Sequence, residues 1–158
     1  MSKLSIRFVT TNKAKFTQVR EVLSGFSIEV EQCPIELVEP NFKTLKEIAE
    51  FKAQQAFSHV KQPVIVDDSG FFFEAFPNFP GVRSAWVYQT LGYAGLMALL
   101  EGRTRQAYAQ TAACYTSNGK DFHVFTGTLK GRISEIAIEQ EPLNPRMPYK
   151  DIFYPEGQ

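Results

Sequence analysis

The sequence predicts an α/β domain in which helices pack on a mixed β-sheet, and three observations support this fold class. Apolar residues alternate with polar ones and then recur at helical spacing, so predicted strands and helices follow one another as far as Gly102. Val64-Ile65-Val66 is a continuous apolar stretch of the kind found in buried strands. Ser117-Asn118-Gly119 separates two further strand-like stretches and predicts a β-hairpin. Strand–helix alternation followed by a hairpin is typical of an α/β or α+β domain.

Local signals set the predicted elements. Thr10-Thr11-Asn12 supplies a turn and a helix cap, and Gly25 ends that helix. Thr44 and Glu47 have the spacing of a capping box, which starts a second helix. In chain order the sequence predicts strands at 4–8 and 28–30, helices over 12–25 and 44–56, a strand at 64–66, a loop over 76–81, a helix over 91–100, strands at 108–115 and 122–125, a further strand over 129–138, and an irregular segment over 142–158.

The composition is that of an ordinary globular protein. The 158 residues are 44% hydrophobic and 22% charged, and 17 basic residues balance 17 acidic ones. This balance argues against nucleic acid as a partner and requires any anion-binding site to be local. No apolar run approaches the roughly 20 residues that span a membrane, and Met1 to Phe8 lacks the apolar block of a secretory signal. Cys33 and Cys114 lack metal-ligand spacing, so we expect one cytoplasmic domain over 1–158 with free thiols.

The joint between the first strand and the first helix carries residues suited to phosphate. Thr10, Asn12 and Lys15 surround a predicted helix N-terminus, where free N–H groups and the positive end of the helix dipole favour an anion. Hydroxyl and amide groups add donors, and the lysine adds a mobile cation. The alternative is a plain helix cap with solvated lysines, because Thr-Asn caps are common. The sequence alone leaves both interpretations open.

Two adjacent carboxylates follow the apolar stretch at 64–66. Asp67 and Asp68 lie at the end of a predicted buried strand, where an open α/β sheet usually places its ligands. Such carboxylates can hold Mg²⁺ through oxygen ligands or position a water molecule as a general base. Neighbouring strand residues point to opposite faces of a sheet, so both need not enter one site. The alternative is that residues 67–70 form an Asx turn that leaves the strand.

Lys52 falls on the apolar stripe of the second predicted helix, the face that should pack on the sheet. An isolated cation there is unfavourable unless a carboxylate or a bound anion compensates it. The alternative is that its aliphatic stem runs along the core while its ammonium group reaches water. His59 and His123 are isolated and lack ligand spacing, so we expect neither to bind a metal.

Several motifs occur in one known family in the same order. Residues 10–15, Thr-Thr-Asn-Lys-Ala-Lys, are similar to a Thr-Gly-Asn-x-x-Lys phosphate loop, with Thr11 in place of its glycine. The other similar segments are a strand with its acidic turn at 64–70, a Pro-Gly-x-x-Ser loop at 79–85, and strands at 125–127 and 130–134. The family is that of the inosine/xanthosine triphosphate pyrophosphatases, often called the Ham1 or RdgB type, and the resemblance is to its archaeal members in particular. It runs from about residue 6 to residue 138.

The resemblance implies a fold, a reaction and a set of site residues. The implied fold is a mixed central sheet flanked by helices, with two lobes, an active-site cleft and assembly as a homodimer. The implied reaction converts (d)ITP- or XTP-type purine triphosphates to the monophosphate and pyrophosphate with Mg²⁺. Asp68 and Lys52 would be catalytic, and Asp68 and Glu39 would bind the metal. Substrate contacts are implied at Thr10, Asn12, Lys15, Ser69, Gly70 and Tyr149.

The chain departs from the family where the base would bind. Residues 146–153 correspond to a Gly-Phe-Gly-Tyr-Asp-Pro-like segment, in which Tyr149 can still stack on a base but Lys150 replaces the acidic residue unless Asp151 takes its role. A later Ser-His-Arg motif, which reads the purine carbonyl in the family, has no counterpart up to Gln158. Because buried polar contacts discriminate strongly, we expect a looser preference for deaminated purines over ATP or GTP. Two alternatives stay open: a degenerate nucleotide-binding homologue without turnover, and a Maf-type pyrophosphatase acting on modified pyrimidine nucleotides.

Overall fold

A computed structural model describes residues 4–136 and 138–157. Within them it contains seven strands, three α-helices and a short 3₁₀ helix. The strands are β1 (Leu4–Val9), β2 (Ile28–Cys33), β3 (Val64–Phe73), β4 (Pro80–Gly81), β5 (Gln106–Thr116), β6 (His123–Ile133) and β7 (Phe153–Pro155). The helices are α1 (Lys13–Ser24), α2 (Leu45–Val60), α3 (Ser84–Leu99) and the 3₁₀ helix Pro148–Asp151.

All seven strands belong to one mixed sheet flanked by the helices, which confirms the predicted fold class. Six strands follow the order β2-β1-β3-β5-β6-β7, and β4 pairs with β3 off this path. β1 runs parallel to β2, with Val9 opposite Cys33, and parallel to β3, with Arg7 opposite Val64. The pairs β3–β4 and β6–β7 are antiparallel. The parallel part brings the ends of β1 and β3 to one edge, as the βαβ connections require.

Side-chain caps start the first two helices, as the sequence predicts. The Asn12 side chain accepts hydrogen bonds from the N–H groups of Ala14 and Lys15. Thr44 and Glu47 form both halves of a capping box, with backbone-to-side-chain distances of 3.1 and 3.2 Å. A helix as short as α2 is marginal in water by itself, so the buried apolar stripe of α2 provides most of its stability. In α2 that stripe is Leu45, Ile48, Ala49, Ala53 and Ala56.

The alternative interpretation, in which residues 67–70 leave the strand in an Asx turn, is wrong. β3 continues past Val66 through Asp67-Asp68-Ser69-Gly70 to Phe73. The continuation has a pairing partner, because Phe71 and Phe72 lie opposite Gly81 and Pro80 of β4. Such ladder bonds satisfy backbone groups that a turn would otherwise have to satisfy locally. The carboxylates therefore stand on an extended backbone, where alternation decides their directions.

Two other predicted boundaries are wrong. The predicted strands at 122–125 and 129–138 are one strand, β6, which ends at Ile133; Ala137, within the second prediction, lies outside the described residues. α3 begins already at Ser84, and the helix predicted over 91–100 corresponds to its second helical segment, beyond a kink. It contains a break at Gly92, whose φ of 61° and ψ of −174° are open to glycine at little steric expense. This break explains why helical spacing is visible only beyond it.

By packing, the chain divides into two compact units, each with its own core. The first unit comprises Met1–Asp68 and Ala112–Thr126, and the second comprises Ser69–Thr111 and Gly127–Gln158. Buried residues of the first unit include Phe8, Val30, Ile48, Val64, Val66 and Cys114. The second unit has a more aromatic core, which includes Phe73, Tyr93, Leu96, Ile133, Tyr149 and Phe153. The prediction of a single domain and that of an active-site cleft stay predictions.

Every helix in the described part of the chain is too short or too polar to span a bilayer.

Candidate active site

The first unit gathers the polar residues that the sequence singles out from three separate elements. Lys15 comes from the first turn of α1, Lys52 from α2, and Asp67 and Asp68 from β3. Their side chains form one cluster of ion pairs and hydrogen bonds. We call these four residues the lysine–aspartate cluster. One of the four residues, Lys15, follows directly after the joint between β1 and α1.

That joint is held by the end of β2 and by its own cap. The Thr10 N–H donates to the Cys33 carbonyl at 3.1 Å, and the Gln32 amide donates to the Thr10 carbonyl at 3.0 Å. The Thr10 hydroxyl accepts from the Asn12 N–H at 3.1 Å. The Asn12 Oδ1 occupies two N–H groups of the first helical turn, at 3.0 and 3.2 Å. A phosphate at this helix end would therefore meet the Lys15 ammonium rather than those two N–H groups.

Lys15 is not a solvated surface lysine. Its Nζ lies 2.7 Å from the Asp67 Oδ2, and both side chains are largely shielded from water. The plain-cap interpretation thus describes the Asn12 contacts but not the lysine three residues later. An ammonium group has three donors, so Lys15 can hydrogen-bond to more than one acceptor.

Lys52 points inward, so the interpretation in which its ammonium reaches bulk water is wrong. Its side chain is 13% exposed. Its Nζ donates to the Asp67 carbonyl at 2.9 Å and to the Asp68 Oδ1 at 3.3 Å. The compensation that a buried cation requires is therefore supplied by β3.

Asp68 is a buried residue, 9% exposed as a whole. Its side chain is 13% exposed, as is that of Asp67. The pKa of this carboxyl is raised to about 6, mainly by burial; the neighbouring Glu39 contributes to the rise, while Lys52 and Lys15 oppose it. Desolvation therefore outweighs two cations, because water is the better solvent for an isolated carboxylate. A carboxyl with a pKa near neutral pH is suited to accept and release a proton.

Glu39 lies at the border of the cluster. Its carboxylate is 3.8 Å from the Lys52 Nζ but 72% exposed. The backbone beside it is clamped by Gln55 of α2, whose side chain donates to the Val38 carbonyl at 2.8 Å and accepts from the Val38 N–H at 3.0 Å. The sequence analysis did not identify Gln55. Its position one helical turn from Lys52 is the only signal that could have indicated it.

The cluster offers oxygen ligands for a metal but no complete protein cage. Among residues 4–136 and 138–157, no three His, Cys, Asp or Glu residues are grouped closely enough to enclose an ion. Mg²⁺ usually binds through one or two carboxylates together with substrate phosphates and water. Asp68 and Glu39 are two carboxylates, which fits that pattern in number and donor type. Both lie near the same atom, the Lys52 Nζ, at 3.3 and 3.8 Å.

Three predicted substrate contacts belong to the second unit. The Ser69 hydroxyl is exposed and shares a 2.7 Å hydrogen bond with the Thr111 hydroxyl. Gly70 approaches the backbone of Gly81 so closely that a Cβ would lie 2.9 Å from the Gly81 carbonyl carbon. Here glycine is required by strand packing, whatever else it does. Thr111 was not predicted, since nothing in the sequence relates it to Ser69.

Tyr149 has a structural role in this conformation. It is 2% exposed, its ring stacks on Phe71 with centroids 4.9 Å apart, and its hydroxyl donates to the Ser84 carbonyl at 2.9 Å. Asp151, which could have taken the acidic role, accepts from the Leu143 N–H at 2.8 Å and from the Tyr93 hydroxyl. Stacking of a base on Tyr149 stays a prediction, and it requires that one ring face be uncovered.

Fold and cluster together define a class of protein: a mixed α/β protein that gathers two lysines and two carboxylates around one strand and one helix N-terminus. The particular family follows from comparison with known sequences. The model described as the Ham1 family matches residues 6–158, so the chain belongs to the Ham1 family. This confirms the resemblance found in the motifs.

Similar proteins support the same assignment. The chain is 36% identical to a dITP/XTP pyrophosphatase of Methanopyrus kandleri, covering 98% of this chain and 81% of that protein. It is 38% identical to a dITP/XTP pyrophosphatase of Saccharolobus solfataricus, covering 98% and 79% of the two chains. A crystal structure of a nucleoside-triphosphatase / dITP/XTP pyrophosphatase from Mycobacterium abscessus superposes with a TM-score of 0.74 at 25% identity, covering 98% and 85%. A HAM1 protein structure from Coxiella burnetii shares the fold with a TM-score of 0.74 at 23% identity, covering 96% and 81%.

Proposed function

We propose that this protein is a nucleoside triphosphate pyrophosphohydrolase that converts (d)ITP- or XTP-type purine triphosphates to the monophosphate and pyrophosphate. The observation that carries the proposal is Asp68: a shielded carboxylate whose pKa is raised to about 6, held 3.3 Å from a lysine ammonium. The names of the similar archaeal proteins support the substrate class.

In this proposal Asp68 is the general base. It accepts a proton from a water molecule as the water oxygen forms a bond to the α-phosphorus and the bond from that phosphorus to the bridging oxygen breaks, releasing pyrophosphate. A base with a pKa of about 6 is mostly ionised at neutral pH, yet still binds a proton well enough to assist the transfer. Lys52 keeps the carboxylate ionised and oriented through its 3.3 Å contact.

The two lysines receive the charge of the triphosphate. Lys15 and Lys52 reach the cluster from different helices, so they can contact different phosphoryl groups. Positive groups fixed in a shielded site stabilise charge that develops on phosphate oxygens and on the departing pyrophosphate. Thr10 and Asn12 would complete the phosphate side with a hydroxyl and the amide N–H₂ that the cap leaves available.

The net charge of the lysine–aspartate cluster together with Glu39 is a reason to expect a divalent cation at the site. Two ammonium groups face three carboxylates, those of Asp67, Asp68 and Glu39, which leaves one net negative charge and disfavours a polyanion. A bound Mg²⁺, with Asp68 and Glu39 as ligands, would supply Lewis-acid stabilisation of phosphate oxygens and reverse the sign of the site. We further propose a homodimer, as the family resemblance implies.

The test is release of pyrophosphate with Mg²⁺ from ITP, XTP, dITP, ATP, GTP and a pyrimidine triphosphate. We expect turnover of ITP and XTP that falls about 100-fold or more in Asp68→Asn, because general-base assistance is lost. Asp121→Asn is the matched control. It makes the same substitution in the same unit at an exposed hairpin, where the carboxylate accepts a hydrogen bond from the Asn118 side chain at 2.7 Å.

Each outcome has a distinct meaning. Turnover of ITP and XTP that Asp68→Asn abolishes and Asp121→Asn leaves intact supports the proposal. Equal turnover of all nucleotides retains the chemistry and contradicts the substrate class. Binding of nucleotide without turnover supports the degenerate homologue instead. Turnover confined to the pyrimidine triphosphate favours the activity of the Maf type.

A further inference from the structure

Asp67 contacts both lysines of the cluster, and it does so through two different groups. Its carboxylate lies 2.7 Å from the Lys15 Nζ of α1, and its backbone carbonyl accepts from the Lys52 Nζ of α2 at 2.9 Å. The two helices are thus tied to one residue of β3 through the cations that would meet a triphosphate. Asp67 is not among the residues to which the proposed reaction gives a role.

We propose that Asp67 is a positioning residue that holds the Lys15 ammonium ready for phosphate; this inference rests on the proposed function. Lys15 lies in the first turn of α1, a helix without a fully buried residue, so polar contacts rather than core packing place its ammonium group. A mobile lysine side chain would lose rotamer entropy on binding a ligand. A short ion pair orders the side chain before the ligand arrives, so less entropy is lost when a phosphate binds.

A second effect of the Asp67 carboxylate opposes the first. Its negative charge repels a triphosphate, so removing it should strengthen binding if charge alone mattered. The geometry favours positioning, because the carboxylate faces Lys15 at 2.7 Å and its charge is largely compensated by that ammonium. The two effects predict opposite changes in triphosphate binding for the isosteric substitution Asp67→Asn. Loss of positioning weakens binding, whereas loss of the negative charge strengthens it. That substitution keeps the carbonyl that binds Lys52, so it isolates the contact with Lys15.

The experiment is a double-mutant cycle on pyrophosphate release from ITP with Mg²⁺, using Asp67→Asn, Lys15→Met and the double variant. We expect Asp67→Asn to lower kcat/KM about 10-fold in the otherwise unchanged protein and less than about 2-fold when Lys15 is already methionine. The loss should lie mainly in KM, since the proposed base, Asp68, is unchanged. If the role of Asp67 were merely structural, the fold losses in kcat/KM of the two single variants would multiply in the double variant.

Glu31→Gln is the matched control. It removes a carboxylate from an ion pair in the same unit, with Arg7 at 3.3 Å, outside the cluster. We expect unchanged kcat and KM for this variant. An equal loss in Glu31→Gln and Asp67→Asn would overturn the inference, because it would show a general effect of weakening ion pairs in the unit.

The inference and the proposed function can fail separately. Turnover by the unchanged protein with multiplicative losses, or with a lower KM in Asp67→Asn, retains the function and overturns the positioning role. If the protein turns over no nucleotide, the function fails, and the same cycle is measured on binding of inorganic tripolyphosphate. Weaker binding in Asp67→Asn that disappears in the Lys15→Met background then still supports Asp67 as a positioning residue; unchanged or tighter binding, or no binding by any variant, overturns it.

Discussion

The two units of the protein bury polar groups in opposite ways. In the first unit, Asp68 is shielded from water and faces charged neighbours, and burial raises its pKa to about 6. In the second unit, the Tyr149 and Ser84 hydroxyls are buried against neutral backbone groups, with hydrogen bonds of 2.7 to 2.9 Å. The hydroxyls of the second unit have hydrogen-bond partners in the folded state, whereas the ionised Asp68 carboxylate of the first unit is disfavoured by desolvation. Disfavoured groups are typical of sites where chemistry occurs, and satisfied ones are typical of scaffolds.

This difference predicts opposite responses to substitution. Removing a buried hydroxyl from the second unit should destabilise the protein, because it leaves backbone partners without a bond. Removing the Asp68 charge should stabilise the metal-free protein while it removes activity. Variants that fail to show this opposition would show that the two regions do not differ in the way described.

The largest effect is expected for Asp68→Asn in metal-free protein. The folded pKa of about 6 exceeds the ordinary 3.8, so the folded state binds the proton more tightly than the unfolded state. The stability from this group is complete below the unfolded pKa and is lost as the pH rises through about 6. Asn does not ionise, so Asp68→Asn should gain about 1 to 3 kcal/mol over the unchanged protein at about pH 8, and much less at about pH 4.

Urea unfolding at both pH values, with EDTA present, measures this difference. Asp121→Asn, at the exposed hairpin, should show no pH-dependent gain. A loss of stability in Asp68→Asn at about pH 8 would contradict the interpretation of Asp68 as a disfavoured charge, and would show that its contacts with Lys52 outweigh desolvation.

Ser84→Ala should give the next largest effect, a loss of stability. The Ser84 hydroxyl accepts from the Phe71 N–H at 2.8 Å and donates to the Gly81 carbonyl at 2.7 Å, so it connects β3, β4 and the start of α3. Without it, we expect a loss of about 1 to 3 kcal/mol of unfolding free energy. Ser58→Ala, at an exposed hydroxyl that bonds the Gln55 carbonyl, serves as the control and should change stability little. Equal losses in the two variants would contradict the role of burial.

Tyr149→Phe should have a smaller effect that separates packing from hydrogen bonding. The ring keeps its contact with Phe71, and only the bond to the Ser84 carbonyl is lost. We expect a loss of about 1 kcal/mol in urea unfolding and no change in kcat/KM for ITP. Tyr154→Phe, at a ring that is largely exposed, is the control. A change in kcat/KM of Tyr149→Phe with unaltered stability would indicate that the hydroxyl acts on the substrate rather than on the fold.

Local signals were sufficient to predict much of the fold and part of the site. The Asn12 cap, the Thr44–Glu47 capping box and the stripe that carries Lys52 involve residues within a few positions of one another, so the sequence displays them directly. The continuation of β3 to Phe73 could not be predicted in this way. There β3 pairs with a two-residue strand at Pro80–Gly81, which has no pattern of its own, and β3 also neighbours β5, which is distant in the sequence.

The contacts that the sequence did not reveal join distant positions. Lys15 and Asp67 are 52 residues apart, and Tyr149 and Ser84 are 65 apart. The family resemblance predicted that Tyr149 could stack on a base, and residue type could not test this, because an aromatic ring in a site and one in a core look alike in sequence. Only the register of β3 and the path of the chain near the 3₁₀ helix place this ring against Phe71.

The smallest effect is expected for Thr44→Ala, which tests whether stability and activity can be separated inside the first unit. Thr44 caps the helix that carries Lys52, but its contacts with Glu47 are exposed and local. Removing the cap should lower the unfolding free energy by about 1 kcal/mol. Activity should not change, because Lys52 is fixed by the Asp67 carbonyl and Asp68 rather than by the end of its helix. Urea unfolding and kcat/KM for ITP measure the two quantities, with Thr17→Ala on the exposed side of α1 as the control. A fall in kcat/KM with Thr44→Ala would show that the position of Lys52 depends on the whole of α2 and not only on its contacts with Asp67 and Asp68. Stability and activity would then not be separable within the first unit.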